Sequence, residues 1–167
     1  MRFEEAVTYI RFTLLYDPDN VLVHYLLARA LAQKNRDEEA LATLEAATHK
    51  PGGEWSVLQS EIAYINARRG QTNEARRILA QLHAREPGEF VDPYLYAMIH
   101  ASLGETEELI ANLNLACDKK STWIPSLIVE PKFFPFRSDP RFQRVLSRLN
   151  LPPQTSAALK KNDHAGP

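Results

Sequence analysis

The chain is short of several features that would assign it a chemistry. It has one cysteine among 167 residues, so it cannot form an internal disulfide. No apolar run approaches the roughly 20 residues that cross a bilayer. Twenty basic residues against twenty-one acidic ones leave a formal charge of −1, which gives no general attraction to nucleic acid or to an anionic membrane. We therefore expect no disulfide scaffold, no membrane span and no nucleic-acid partner.

Catalytic and metal-binding motifs are also missing. The five histidines show no metal-ligand spacing, and the chain has neither a G-x-x-x-x-G-K-[ST] phosphate loop nor a G-x-S-x-G nucleophile turn. Cys117 lies in a predicted helix and is expected to be a small apolar filler. We predict a protein that is not an enzyme and has no metal and no cofactor. The single cysteine and the lack of an export-signal pattern predict a cytoplasmic chain.

A repeated pattern is the strongest positive signal. Three segments that start at Leu27, Ile62 and Tyr96 align without a gap, and their starts are 35 and then 34 residues apart. Each segment has an apolar helical stripe, a turn residue that tolerates a left-handed backbone, and a second apolar helical stripe. The sequence therefore predicts stacked helix–turn–helix units, since one such unit cannot bury its apolar face alone.

The repeat predicts which residues are buried and where the second helices start. The first helices bury Leu27, Ala28, Leu31, Ile62, Ala63, Ile65, Tyr96, Ala97 and Ile99. The second helices bury Ala40, Leu44, Ala47, Ala75, Leu79, Leu82, Leu109, Leu113 and Ala116. The predicted turn residues are Asn35, Gly70 and Gly104, and the predicted helix caps are Asp37, Thr72 and Thr106.

With these residues the chain resembles the tetratricopeptide repeat family from about residue 3 to about residue 120. The shared features are a small residue in each first helix, a turn glycine, an alanine early in the second helix, and a closing proline at Pro18, Pro51 and Pro87. The resemblance implies an all-α, right-handed solenoid of antiparallel helix pairs that binds protein or peptide in its concave groove.

The predicted organisation is a single repeat domain over 1–151 with a flexible tail over 152–167. Its parts are 1–16, 20–50, 54–87, 91–120 and a C-terminal capping layer over 121–151. In the repeat register, 1–16 corresponds to a second helix whose first helix is absent. Two interpretations stay open: the chain starts inside a longer repeat array, or 1–16 is an N-terminal cap.

The C-terminal layer departs from the repeat. Apolar residues at Trp123 to Ile128 predict a short helix, and Phe133, Phe134 and Phe136 are expected to seal the last repeat. Ser138 or Asp139 is the predicted cap of a final helix that buries Phe142, Val145, Leu146 and Leu149. Residues 130–151 resemble the ends of tetratricopeptide regions in bacterial signalling proteins, which implies a larger regulatory protein.

The resemblance places a binding groove on first-helix residues outside the buried stripe. These are Tyr25, Arg29, Gln33, Ser60, Tyr64, Arg68, Tyr94, Met98 and Ser102. The alternative is that the tyrosines among them pack against the next repeat. Arg141, Arg144 and Arg148 share one side of the last helix and form either a patch for an anionic partner or a solvated face.

Two functions follow from this reading. The first is a non-catalytic module that binds a partner polypeptide in the groove. The second is an assembly module that forms a homodimer through its terminal helices.

Overall fold

The computed structural model describes residues 3–53, 55–85 and 88–150, and these contain α-helices and 3-10 helices but no β-strand. They belong to two compact units, Met1–Val91 and Asp92–Pro167, which we call the first unit and the second unit. The predicted all-α fold of paired helices is confirmed. The predicted flexible tail, 152–167, lies outside the described residues.

The first unit has five helices: α1 Phe3–Tyr16, α2 Val21–Ala32, α3 Asp37–Thr48, α4 Ser56–Arg68 and α5 Thr72–Arg85. Helices α2 and α3 form one pair, and α4 and α5 form the next. In addition, α1 packs on α2 and α3 packs on α4. Helices α1 and α3 therefore each contact the first helix of the following pair, which is how repeats of this kind bury a continuous core.

The second unit has one helix pair, α6 Pro93–Leu103 and α7 Thr106–Asp118. Two 3-10 helices follow, Ile124–Ile128 and Pro131–Phe136, and we call residues 124–136 the C-terminal link. Helix α8 Pro140–Ser147 ends the unit and packs on α7. The second 3-10 helix packs on α6.

An alanine in the first helix of each pair lets the two helices of that pair pack closely. Ala28, Ala63 and Ala97 are fully buried, as the repeat predicts. The other stripe residues of the three first helices are buried too. In α5 the prediction is wrong at Leu79, which is half-buried, while Ile78 is only 2% exposed. Ala75 and Leu82 are buried as predicted, so the core face of α5 passes through Ile78 instead of Leu79.

Left-handed residues close the turn of each pair, as predicted. The φ angles are 57° at Asn35, 81° at Gly70 and 73° at Gly104. A side chain is strained in this region, and glycine and asparagine tolerate it best. The chain therefore reverses within two to four residues between the paired helices.

The predicted caps of the second helices are wrong by one residue. Asp37, Thr72 and Thr106 are the first helical residues of α3, α5 and α7. Arg36 and Glu105 occupy the cap positions of α3 and α7, and neither side chain caps its helix. The Asp37 carboxylate instead accepts hydrogen bonds from Arg68. The carboxylate that the local sequence assigns to a helix cap therefore bonds a residue of the next repeat instead.

The C-terminal layer contains the predicted final helix, but only one of the three phenylalanines predicted to seal the last repeat is fully buried. Asp139 caps α8 by accepting a hydrogen bond from the Arg141 N–H at 2.7 Å. Of the three phenylalanines predicted to seal the repeat, Phe133 is fully buried, Phe134 is 41% exposed, and Phe136 is half-buried. On α8, Phe142 and Val145 are buried, and Leu146 and Leu149 are half-buried.

Candidate functional site

One face of α2 stays accessible in the first unit. Leu22 is 46% exposed and Leu26 is 42% exposed, and Arg29 and Gln33 are partly exposed. Their spacing of four, three and four residues puts all four on one side of the helix. We call these four residues the α2 row. It combines two accessible leucines with a guanidinium and an amide, which suits contact with a polypeptide.

Arg68 lies beside the C-terminal end of α2. Its guanidinium donates a hydrogen bond to the Ala32 carbonyl oxygen at 3.1 Å and others to the Asp37 carboxylate. The same guanidinium lies 5.8 Å from the centre of the Tyr64 ring, one turn earlier on α4. The C-terminal ends of α2 and α4 therefore lie close together.

This arrangement extends the α2 row. Tyr64 is partly exposed and precedes Arg68 by one turn, as Arg29 precedes Gln33. Arg29 also stacks on a tyrosine, with its guanidinium 5.6 Å from the Tyr25 ring centre. The α2 row, Tyr64 and Arg68 form what we call the α2–α4 surface. Aromatic and arginine side chains provide much of the binding energy at protein interfaces.

Four of the nine predicted groove residues are buried. Tyr25 is 3% exposed, Ser60 is fully buried, Tyr94 is 1% exposed and Met98 is 2% exposed. A side chain without accessible area offers a partner nothing to contact, so these four have packing roles here. Leu22 and Leu26 were missed by the sequence reasoning. The signal that finds them is the same helical spacing, continued one and two turns back from Arg29.

In the second unit, the C-terminal link covers the predicted groove position of α6. The Tyr94 hydroxyl is hydrogen-bonded to the Ser126 hydroxyl at 2.9 Å. The Tyr94 and Phe133 rings pack edge to face, with 5.5 Å between the ring centres. The centres of the Phe133 and Phe142 rings are 6.3 Å apart. The remaining groove candidate, Ser102, is partly exposed and donates its hydroxyl hydrogen to the Ile99 carbonyl at 2.7 Å.

Two of the three arginines proposed as an anionic patch are held by carboxylates of their own unit. Arg141 pairs with Asp139 at 2.7 Å and also with Glu107. Arg148 pairs with Asp118 at 2.5 Å and donates to the Asn114 side chain at 2.9 Å. An anionic partner would have to displace these acids.

The same ion pairs fix the direction of α8. They join its start to the start of α7 and its end to the end of α7, so the two helices are parallel. The Arg141 guanidinium, together with the Arg141 and Phe142 backbone N–H groups, lowers the pKa of Asp139 to about 2. The third arginine, Arg144, is exposed.

Two histidines and the cysteine have roles within the fold. The His24 ring bonds the Pro18 carbonyl at 2.8 Å, and the buried His100 ring bonds the Glu105 carboxylate at 2.7 Å. Partial burial raises the pKa of the Cys117 thiol, which disfavours the reactive thiolate. Within 3–53, 55–85 and 88–150, no three potential ligands gather around a common metal position.

In the described part of the chain, every helix is too short or too polar to cross a bilayer.

The comparisons with known proteins agree with the fold. Residues 2–60 match the tetratricopeptide repeat family, and this range contains α1, α2 and α3 and the start of α4. No curated protein and no solved structure matches the chain. Repeats of this family generally serve protein–protein interaction. Residues 2–60 are therefore similar to tetratricopeptide repeats, and the described residues of the chain fold as an all-α helical repeat.

Proposed function

We propose that the protein is a non-catalytic interaction module that binds a partner polypeptide on the α2–α4 surface. The observation that carries the proposal is the accessible α2 row, which continues into Tyr64 and Arg68. Leu22 and Leu26 lie in the first half of α2, and the two arginines lie towards the ends of their helices. A peptide whose apolar side chains contact the two leucines and whose polar groups contact Arg29 and Gln33 complements this order.

The wider setting belongs to the same proposal. The resemblance of residues 130–151 to the ends of bacterial signalling proteins supports a role within a larger regulatory protein. The single cysteine supports a cytoplasmic setting, because a chain without an internal disulfide loses no stability in a reducing compartment. The single domain over 1–151 and the right-handed solenoid also remain proposals.

The test is peptide selection followed by one pair of matched variants. A displayed random-peptide library is selected on the immobilised full chain, and Kd values of the selected peptides are then measured by fluorescence anisotropy. We expect Leu26→Ser to raise Kd at least tenfold, or about 1.4 kcal/mol. Leu115→Ser is the control, since Leu115 is also a helical leucine that is 42% exposed, on α7 of the second unit.

The two variants separate the outcomes. Loss of affinity with Leu26→Ser alone supports binding on the α2–α4 surface. Equal Kd values for both variants and the unmodified chain contradict it. Circular dichroism of each variant checks that the helices remain folded.

A further inference from the structure

Two aromatic side chains are exposed where α4 begins. Trp55 is the cap residue of α4 and is 44% exposed, and Phe90 is 69% exposed. The Ser56 hydroxyl donates a hydrogen bond to the carboxylate of Glu89, which is also exposed, at 3.0 Å. Because Ser56 follows Trp55 and Glu89 precedes Phe90, this bond keeps both aromatic residues near one carboxylate. We call Trp55, Glu89 and Phe90 the α4-start cluster.

Helix capping does not explain the tryptophan. At the start of α2, the Asn20 side chain accepts the Val23 N–H at 3.1 Å. At the start of α6, the Asp92 side chain accepts the Tyr94 N–H at 2.9 Å. An indole can only donate, and Trp55 makes no side-chain cap bond. A helix without such a bond is less stable, so a binding role accounts for this exposed indole better than capping does.

The charge of the cluster is negative. Its two chain segments, 51–67 and 86–98, contain acidic residues but no lysine, arginine or histidine. Lys50, the basic residue just before the first segment, pairs with Asp19 at 2.8 Å. Within the described residues, Glu89 forms no ion pair, and the hydroxyl that it bonds is uncharged. The carboxylate is therefore available to a cation from outside the chain.

Arginine is the side chain that matches both parts of this cluster. The face of an aromatic ring attracts a cation, and tryptophan does so most strongly. A planar guanidinium stacks on such a ring and can also bond a carboxylate through two parallel hydrogen bonds. The chain contains this kind of stacking elsewhere, since the Arg137 guanidinium lies 3.9 Å from the Phe134 ring centre. Among the described residues, no cation stacks on Trp55 or Phe90 in the same way.

We propose that the α4-start cluster binds an arginine side chain of a partner polypeptide. The guanidinium stacks on the Trp55 indole with the Phe90 ring beside it, and it pairs with the Glu89 carboxylate. The Ser56 hydroxyl bonds Oε1 of that carboxylate and so positions it. Arg68 lies at the other end of α4, about 18 Å away along the helix. The cluster is therefore separate from the α2–α4 surface, and this proposal does not rest on that surface.

The experiment titrates two capped peptides of glycine and serine into the full chain labelled with 15N. One peptide has a central arginine, and the other has a central citrulline, which has nearly the same shape but no charge. The chain has two tryptophans, Trp55 and the half-buried Trp123, so two indole N–H signals report by NMR. Trp55→Phe assigns them. We expect the arginine peptide to shift the Trp55 signal alone, with a Kd at least tenfold lower than that of the citrulline peptide. Added salt should reduce this difference, because exposed charges are screened.

Variants of the chain locate the site. Glu89→Gln removes the charge but keeps an oxygen that can accept the Ser56 hydrogen bond, and it is expected to raise the Kd of the arginine peptide at least threefold. Glu45→Gln is the control, since Glu45 is an exposed glutamate on α3 of the same unit. Trp55→Ala is expected to raise the same Kd at least threefold, and circular dichroism checks that its helices remain folded.

Three results overturn the proposal. One is a Kd above about 10 mM for the arginine peptide, which is too weak for a specific site. Another is equal affinity for the arginine and citrulline peptides. The third is an effect of Glu45→Gln as large as that of Glu89→Gln, since binding would then follow the total charge of the chain. Leu26→Ser should leave the Kd of the arginine peptide unchanged, and a rise would place the arginine on the α2–α4 surface instead.

Discussion

The first and second units contain helix pairs of one repeat, yet they differ in what their first helices expose. In the first unit, α2 presents Leu22, Leu26, Arg29 and Gln33. In the second unit, every residue of α6 from Pro93 to His100 is buried. The C-terminal link covers Tyr94, since Ser126 bonds its hydroxyl and Phe133 packs on its ring. The repeat thus determines the helices, whereas the chain that follows it determines which faces remain accessible.

Removing the seal of the second unit is expected to have the largest effect. Phe133 is fully buried and contacts both Tyr94 and Phe142. Phe133→Ala should lower the free energy of unfolding by about 3–5 kcal/mol, measured by urea denaturation. Phe90→Ala in the first unit should cost less than about 0.5 kcal/mol, because Phe90 is 69% exposed. Similar losses of unfolding free energy for both variants would mean that Phe133 does not stabilise the second unit through its buried contacts.

The contact between repeats in the first unit is expected to have a smaller effect. The Arg68 side chain is 30% exposed, and its guanidinium bonds both Asp37 and the Ala32 carbonyl. A double-mutant cycle of Arg68→Ala and Asp37→Ala should give a coupling of about 1 kcal/mol. Arg144→Ala is the control, since Arg144 is an exposed arginine of the second unit. Additive effects of the two single variants would contradict the contact.

The acid dependence of the second unit should be the smallest effect. The pKa of Asp139 is about 2 in the folded chain, below its usual 3.8. A lowered folded pKa stabilises the fold above the unfolded pKa, and this contribution is lost as pH falls through the folded pKa. The melting temperature of Asp139→Asn should therefore lie below that of the unmodified chain at pH 5. The two should converge between about pH 4 and pH 2, and a constant difference would contradict the pairing with Arg141.

Periodicity was sufficient to predict the helix pairs and their turns. The stripes at Ala28, Ala63 and Ala97 and the left-handed residues at Asn35, Gly70 and Gly104 depend on contacts within one pair. Those contacts are local in sequence, so a single chain displays them.

The accessible surface could not be predicted in the same way. Whether Tyr25 or Leu26 faces solvent depends on a rotation of about 100° and on neighbours in other helices. The burial of Tyr94 depends on residues 32 to 39 positions later, in a segment outside the repeat. Asp37 shows the same limit, because Arg68 engages a carboxylate that local sequence assigns to a helix cap.

Hydroxyl-radical footprinting of the full chain, read by mass spectrometry, tests the contrast between the units most directly. Tyr16 at 77% exposure and Tyr94 at 1% are matched probes, and Met98 is a reactive side chain at 2% exposure. The account predicts rapid labelling of Tyr16, measurable labelling of Leu22 and Leu26, and protection of Tyr94 and Met98. Labelling of Tyr94 and Met98 as fast as Tyr16 would contradict it.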